Sequence, residues 1–111
     1  MVFSTIHPCT DTPVREWERD EMGNRTALKI DRYFDSGPTV CHWNMQRLKY
    51  PWDSPYWRYT LSEWSDLIAA AGFLIQRIAE PRPTAEQVAR NPHLDDCYRL
   101  PAFLIFDLAK M

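Results

Sequence analysis

An α/β fold is the class this sequence predicts, on three observations. Separate apolar runs near the start, the middle and the end have the length and residue types of strands. One segment between them carries a full set of helix start and stop signals. The run AFLIF at 102–106 does not alternate between apolar and polar residues, the pattern of a strand buried on both faces.

Val2–Ile6 is the first strand, ended by Pro8, whose ring removes a backbone donor. FLIQRIA, Phe73–Ala79, is the second, and AFLIFDLA at 102–109 the third. The helix covers 61–71. Thr60 and Glu63 make a T-x-x-E capping box, and Gly72 stands where a left-handed residue closes the last turn. Leu61, Trp64, Leu67, Ile68 and Ala71 form one apolar stripe along it. A shorter helix is expected over 85–89, opened by Thr84 and Gln87 and limited by Pro92. Since that long helix covers one face of the sheet, the other needs the 7–59 segment or a second polypeptide.

The segment 7–59 is far longer than an ordinary connection, so it should carry function or structure of its own. LKIDRYF and TVCHWNM flank Asp35-Ser36-Gly37-Pro38, which reads as a hairpin with a four-residue turn. Nine of the 15 aromatic residues lie here: Trp17, Tyr33, Phe34, Trp43, Tyr50, Trp52, Tyr56, Trp57 and Tyr59. Such a density either packs the insert onto the sheet or lines a small-molecule pocket.

Composition narrows the partners. With 111 residues, 45% of them hydrophobic and 25% charged, the chain is a single globular domain, 1–111. A formal charge of -2 and no Lys/Arg cluster give no electrostatic reason for a nucleic-acid partner. No apolar run approaches a membrane span and no signal-peptide pattern opens the chain, so a cytoplasmic protein is expected. The 3 cysteines, Cys9, Cys41 and Cys97, form no C-x-x-C pair, which argues against a disulfide framework. His7, Cys9, Cys41 and His42 offer a zinc-type donor set, but adjacent Cys-His is poor spacing for one ion, so no metal site is expected.

The ordered pieces FSTIHPC, RYFDSGP, TLSEW, AGFLIQRIAEPRP and PAFLIF together resemble the C-terminal half of a class I S-adenosylmethionine-dependent methyltransferase, and within that class the small-molecule group known as methyltransferase type 11. The resemblance spans residues 2–109. It implies a partial Rossmann-like sheet of three strands, the fifth, sixth and seventh of the full fold, in the order 5-7-6 with the last antiparallel. One long helix, a short helix and a hairpin-containing insert would complete it. A parallel pair needs a crossover, and the 61–71 helix supplies one.

The resemblance also implies what these residues do not include. In the complete family enzyme S-adenosylmethionine is held by the first half of the sheet, through a glycine-rich turn that lets the backbone approach the cofactor. Gly23, Gly37 and Gly72 are far apart and none stands in a G-x-G. No cofactor is therefore expected to bind this chain alone, and methyl transfer is expected only when another chain completes it. The expected partner is a homodimer mate or an N-terminal methyltransferase half, at the unpaired edge of the first strand. On the substrate side the resemblance points to His7 as a catalytic candidate, able as a neutral imidazole to take a proton, the alternative being a hydrogen-bonded strand-end residue that shapes the loop. It points to Arg32, Tyr33, Phe34, Trp43 and Tyr59 for substrate binding. One departure bears on catalysis: where relatives commonly show His-Arg-Thr-Leu before the helix, this chain has Arg58-Tyr59-Thr60-Leu61. A non-catalytic interaction or self-association module is the alternative function.

Overall fold

The structure, a computed structural model, describes residues 1–43 and 52–111, with the side chains of 41–43 and 52 outside that description. In chain order its elements are β1 (Val2–Ile6), β2 (Val14–Arg19), β3 (Arg25–Asp31), β4 (Gly37–Trp43), β5 (Trp52–Arg58), α1 (Leu61–Ala70), β6 (Phe73–Ala79), α2 (Ala85–Arg90), a 3-10 turn (Pro92–Leu94), α3 (Asp95–Arg99) and β7 (Phe103–Lys110).

The three expected strands form one sheet in the order β1-β7-β6, with β7 antiparallel to both neighbours. This is the 5-7-6 arrangement that the resemblance implies. Two edges, on β1 and β6, carry no further strand among the described residues. Helix α1 starts where its capping box predicts: the Thr60 hydroxyl accepts from the Glu63 amide, and the Glu63 carboxylate accepts from the Thr60 amide. Gly72 follows with φ +86°, a conformation a side chain resists, and turns the chain directly into β6. The short helix α2 likewise has both halves of its capping box. Helix α3, five residues of DDCYR, has no capping side chain and so gave no start signal in the sequence.

The core is small and lies on one side of the sheet. Leu104, Phe106 and Leu108 of β7 are buried at 2%, 0% and 3% exposure, together with Ile68 of α1. Phe3, Trp64 and Phe73 pack around them. Among the described residues the AFLIF run is covered on one face, so the described part of the 7–59 segment does not supply the second cover. The alternate residue Phe103 is half exposed, and on the same outer face Val2 and Leu74 are more so. Among the described residues α1 is the element that buries a sheet face, and burial along β7 alternates accordingly. The molecule keeps 8599 Å² of accessible surface, against about 6,400 Å² for a typical monomer of this mass. Its radius of gyration is 16.2 Å, where a compact chain of this length has about 13 Å.

Among the described residues the 7–59 segment holds two hairpins, and neither is the predicted one. β3 pairs backward with β2, and β4 pairs forward with β5. Local chemistry decides this. The Asp20 carboxylate accepts from the Met22 and Asn24 amides and closes a tight turn through Gly23, joining β2 to β3. Between β3 and β4 the chain makes a corner instead of a hairpin turn. Arg32 takes φ +61°, its amide donates to Asp31 and its side chain pairs with Asp35 at 2.6 Å. The corner is fastened to the start of α1, where the Leu61 amide donates to the Tyr33 hydroxyl and the Ser36 hydroxyl donates to Glu63. The β2–β3 hairpin docks on α3 through Trp17, whose ring lies under the guanidinium groups of Arg25 and Arg99. Arg25 also pairs with Asp96, and Arg99 donates to the carbonyls of Arg25 and Thr26. For Trp17, then, packing is the role its surroundings give it.

Candidate functional site

The carboxyl end of β1 is where the hairpins meet the sheet. His7 continues the strand, its amide donating to the Ala102 carbonyl at 2.9 Å, and the carbonyl of His7 accepts from the Thr10 and Asp11 amides in a tight turn. The buried Thr10 hydroxyl donates to the Pro101 carbonyl and pins that turn to the entrance of β7. These bonds present Asp11 toward the β4–β5 hairpin.

There a cavity of about 250 Å³ opens, lined by Thr5, Ile6, Pro8, Asp11, Ser54, Tyr56, Trp57, Arg58, Tyr59 and Trp64. Along β5 Ser54, Tyr56 and Arg58 are half-buried, while Asp53, Pro55 and Trp57 are exposed, Trp57 still lining the cavity at 51% exposure. The Tyr56 hydroxyl donates to the Asp11 carboxylate, 3.0 Å from each oxygen. Arg58 Nε stands 3.5 Å from Asp11 Oδ1, near enough to share charge but too far for a hydrogen bond. Tyr59 stacks edge-on against Trp64 with centroids 5.1 Å apart, and Trp64 passes the contact on to Phe3 and Phe106 of the core. One wall of the cavity is thus continuous with the only cluster of buried apolar side chains among the described residues. Flat apolar walls around a few polar groups suit a small planar ligand.

His7 lies beside this cavity, between two of its lining residues. It is 9% exposed and both ring nitrogens are engaged. The Cys9 amide donates to Nδ1 at 3.1 Å, which requires a lone pair there, so the ring proton sits on Nε2 and is donated to Glu80 at 2.7 Å. In this arrangement the imidazole orders the turn after β1 and ties it to the end of β6.

The other substrate candidates divide. Tyr59 stands in the cavity wall. Arg32 and Phe34 line a separate open groove with Ser36, Thr60 and Glu63 at the start of α1, and Phe34 is almost wholly exposed. Tyr33 is spent on the α1 amino terminus. The side chain of Trp43 lies outside the described residues, as do those of Cys41 and His42. Sequence reasoning missed Asp11 and gave Arg58 no role beyond replacing a relative's histidine. The period of 2 in Ser54, Tyr56 and Arg58 was the available signal.

A Cβ added at Gly23, Gly37 or Gly72 would meet no other atom of this chain within 4 Å. Among the described residues no helix is long and apolar enough to cross a membrane, and no three His, Cys, Asp or Glu side chains cluster as a metal set.

No family model and no curated protein matches the sequence. Solved structures do, among them two crystal structures. One, from Listeria monocytogenes, is assigned as an S-adenosylmethionine-dependent methyltransferase; it is 27% identical with a TM-score of 0.73, over 99% of this chain and 47% of that one. The other is an S-adenosylmethionine-dependent methyltransferase from Mesorhizobium loti, 28% identical with a TM-score of 0.68, over 96% of this chain and 46% of that one. This chain therefore spans about half the length of the proteins it is similar to, and the resemblance to a C-terminal methyltransferase half is borne out.

Proposed function

We propose that this chain, with the fold and about half the length of an S-adenosylmethionine-dependent methyltransferase, is the substrate-side half of a small-molecule methyltransferase. The observation that carries this reading is the aromatic-walled cavity at the carboxyl end of β1, the end of an open α/β sheet where ligands collect. The cofactor-holding half comes from further residues or a further chain, and the residues here do not bind S-adenosylmethionine without it. The wide spacing of Gly23, Gly37 and Gly72, with no G-x-G, supports that division. His7 serves by holding the turn beside the cavity, since a proton-accepting role would cost it the Cys9 amide or Glu80. Isothermal titration of the 111-residue chain with S-adenosylmethionine is expected to show no saturable heat. Micromolar binding by this chain alone overturns the proposal.

A second reading, an interaction or self-association module, is favoured by one observation. The outer sheet face presents Val2, Leu74 and Phe103, each more than half exposed, next to the free edge of β1. Light scattering on the purified chain separates the readings: a stable dimer favours the module, and a monomer that gains cofactor binding when mixed with an N-terminal methyltransferase half favours the enzyme.

A further inference from the structure

Arg58 brings to the cavity a buried donor that no group among the described residues meets with a hydrogen bond. Its Nε is buried with no hydrogen-bond partner among the described residues. A buried guanidinium donor left unmet costs free energy, so such a group needs an explanation from outside the fold. Asp11 does not supply it. At 3.5 Å it balances charge without closing a hydrogen bond to Nε. Around Arg58 stand Tyr56, Trp57, Tyr59 and Trp64, flat faces lining a cavity of about 250 Å³ that holds one ring and a small substituent.

We infer that the ligand of this cavity is a planar aromatic carboxylate, its ring against the Trp57, Tyr59 and Trp64 faces and its carboxylate on Arg58. This deepens the proposed function and rests on the cavity being the substrate site. A guanidinium presents parallel donors that match the two oxygens of a carboxylate, and an ionised acceptor gains more from it than a neutral carbonyl does.

Benzoate and benzamide, which share shape and differ in charge, are the probes. The indole and backbone shifts of Trp57 and Trp64 are followed by NMR on the full 111-residue chain. Benzoate is expected to bind about tenfold more tightly than benzamide, and Arg58→Met to remove that preference while benzamide still binds. The benzamide response shows that the variant has kept its cavity. Arg58→Lys, which keeps the charge but loses the fork, is expected to fall between the two. Equal binding of the two probes, or a preference that survives Arg58→Met, overturns the carboxylate assignment and leaves the substrate-side reading standing. Failure of both probes to shift Trp57 or Trp64 overturns both.

Discussion

Phe106→Ala, set beside Phe103→Ala, tests whether the core lies on one side of the sheet. The two residues are three apart on β7 and point to opposite faces, Phe106 fully enclosed and Phe103 about half exposed at 51%. Phe106 touches the Phe3 and Trp64 rings at centroid distances of 5.1 and 6.1 Å. Removing an enclosed phenylalanine costs about 3–5 kcal/mol, from lost transfer energy and the cavity left behind. A domain of this length holds about 5–15 kcal/mol in total, and so small a core argues for the lower end. Phe103→Ala loses only the covered part of one ring, about 1 kcal/mol or less. With a urea slope of about 2 kcal/mol per molar, the midpoints should fall by about 2 M for Phe106→Ala and by about 0.5 M or less for Phe103→Ala. Equilibrium urea unfolding followed by tryptophan fluorescence, at two well-separated protein concentrations, gives both. Equal losses at low concentration refute the one-sided core. A Phe103→Ala loss that appears only at high concentration points to a second copy on the outer face.

Other consequences are more local. Thr60→Ala removes the cap of α1 and should cost about 1 kcal/mol in the same unfolding assay, with Thr60→Ser retaining most of it. The Glu63 carboxyl is held below its ordinary value by the Ser36 hydroxyl first and the Thr60 amide second. Its contribution to stability is therefore present above the unfolded carboxyl pKa and lost as pH falls through the folded one. Unfolding midpoints across the acid range should decline less steeply for Glu63→Gln than for the parent chain; identical slopes would remove Glu63 from the account. His7→Ala leaves the Cys9 amide and Glu80 without their partner and should destabilise by about 1–2 kcal/mol, while Glu80→Gln, which still accepts from Nε2, should cost less. If Glu80→Gln proves the more damaging, His7 is held by charge and not by the neutral hydrogen bond inferred from Nδ1.

What the sequence by itself determined was everything encoded within a few residues. The bounds of β1 and β6, the T-x-x-E start of α1 and the Gly72 stop depend on spacing and on single-residue chemistry, and all were legible. The order β1-β7-β6 was legible through resemblance, because each motif kept its place along the chain. The hairpins were not, since DSGP was read as the reversal and the local Asp20 turn was not, while the corner at 32–36 is held by hydrogen bonds to distant α1. Helix α3 was missed for want of a cap. The site shows the same division. Tyr59 could be named from its neighbourhood, but Asp11 and Arg58 are separated by most of the 7–59 segment and meet only because the turn after β1 is pinned to Pro101 while β5 is paired with β4. Nor could a pattern of apolar residues say that one face of β7 would be covered and the other left open. Apolar side chains record a tendency to be buried, and only the tertiary structure decides what does the burying.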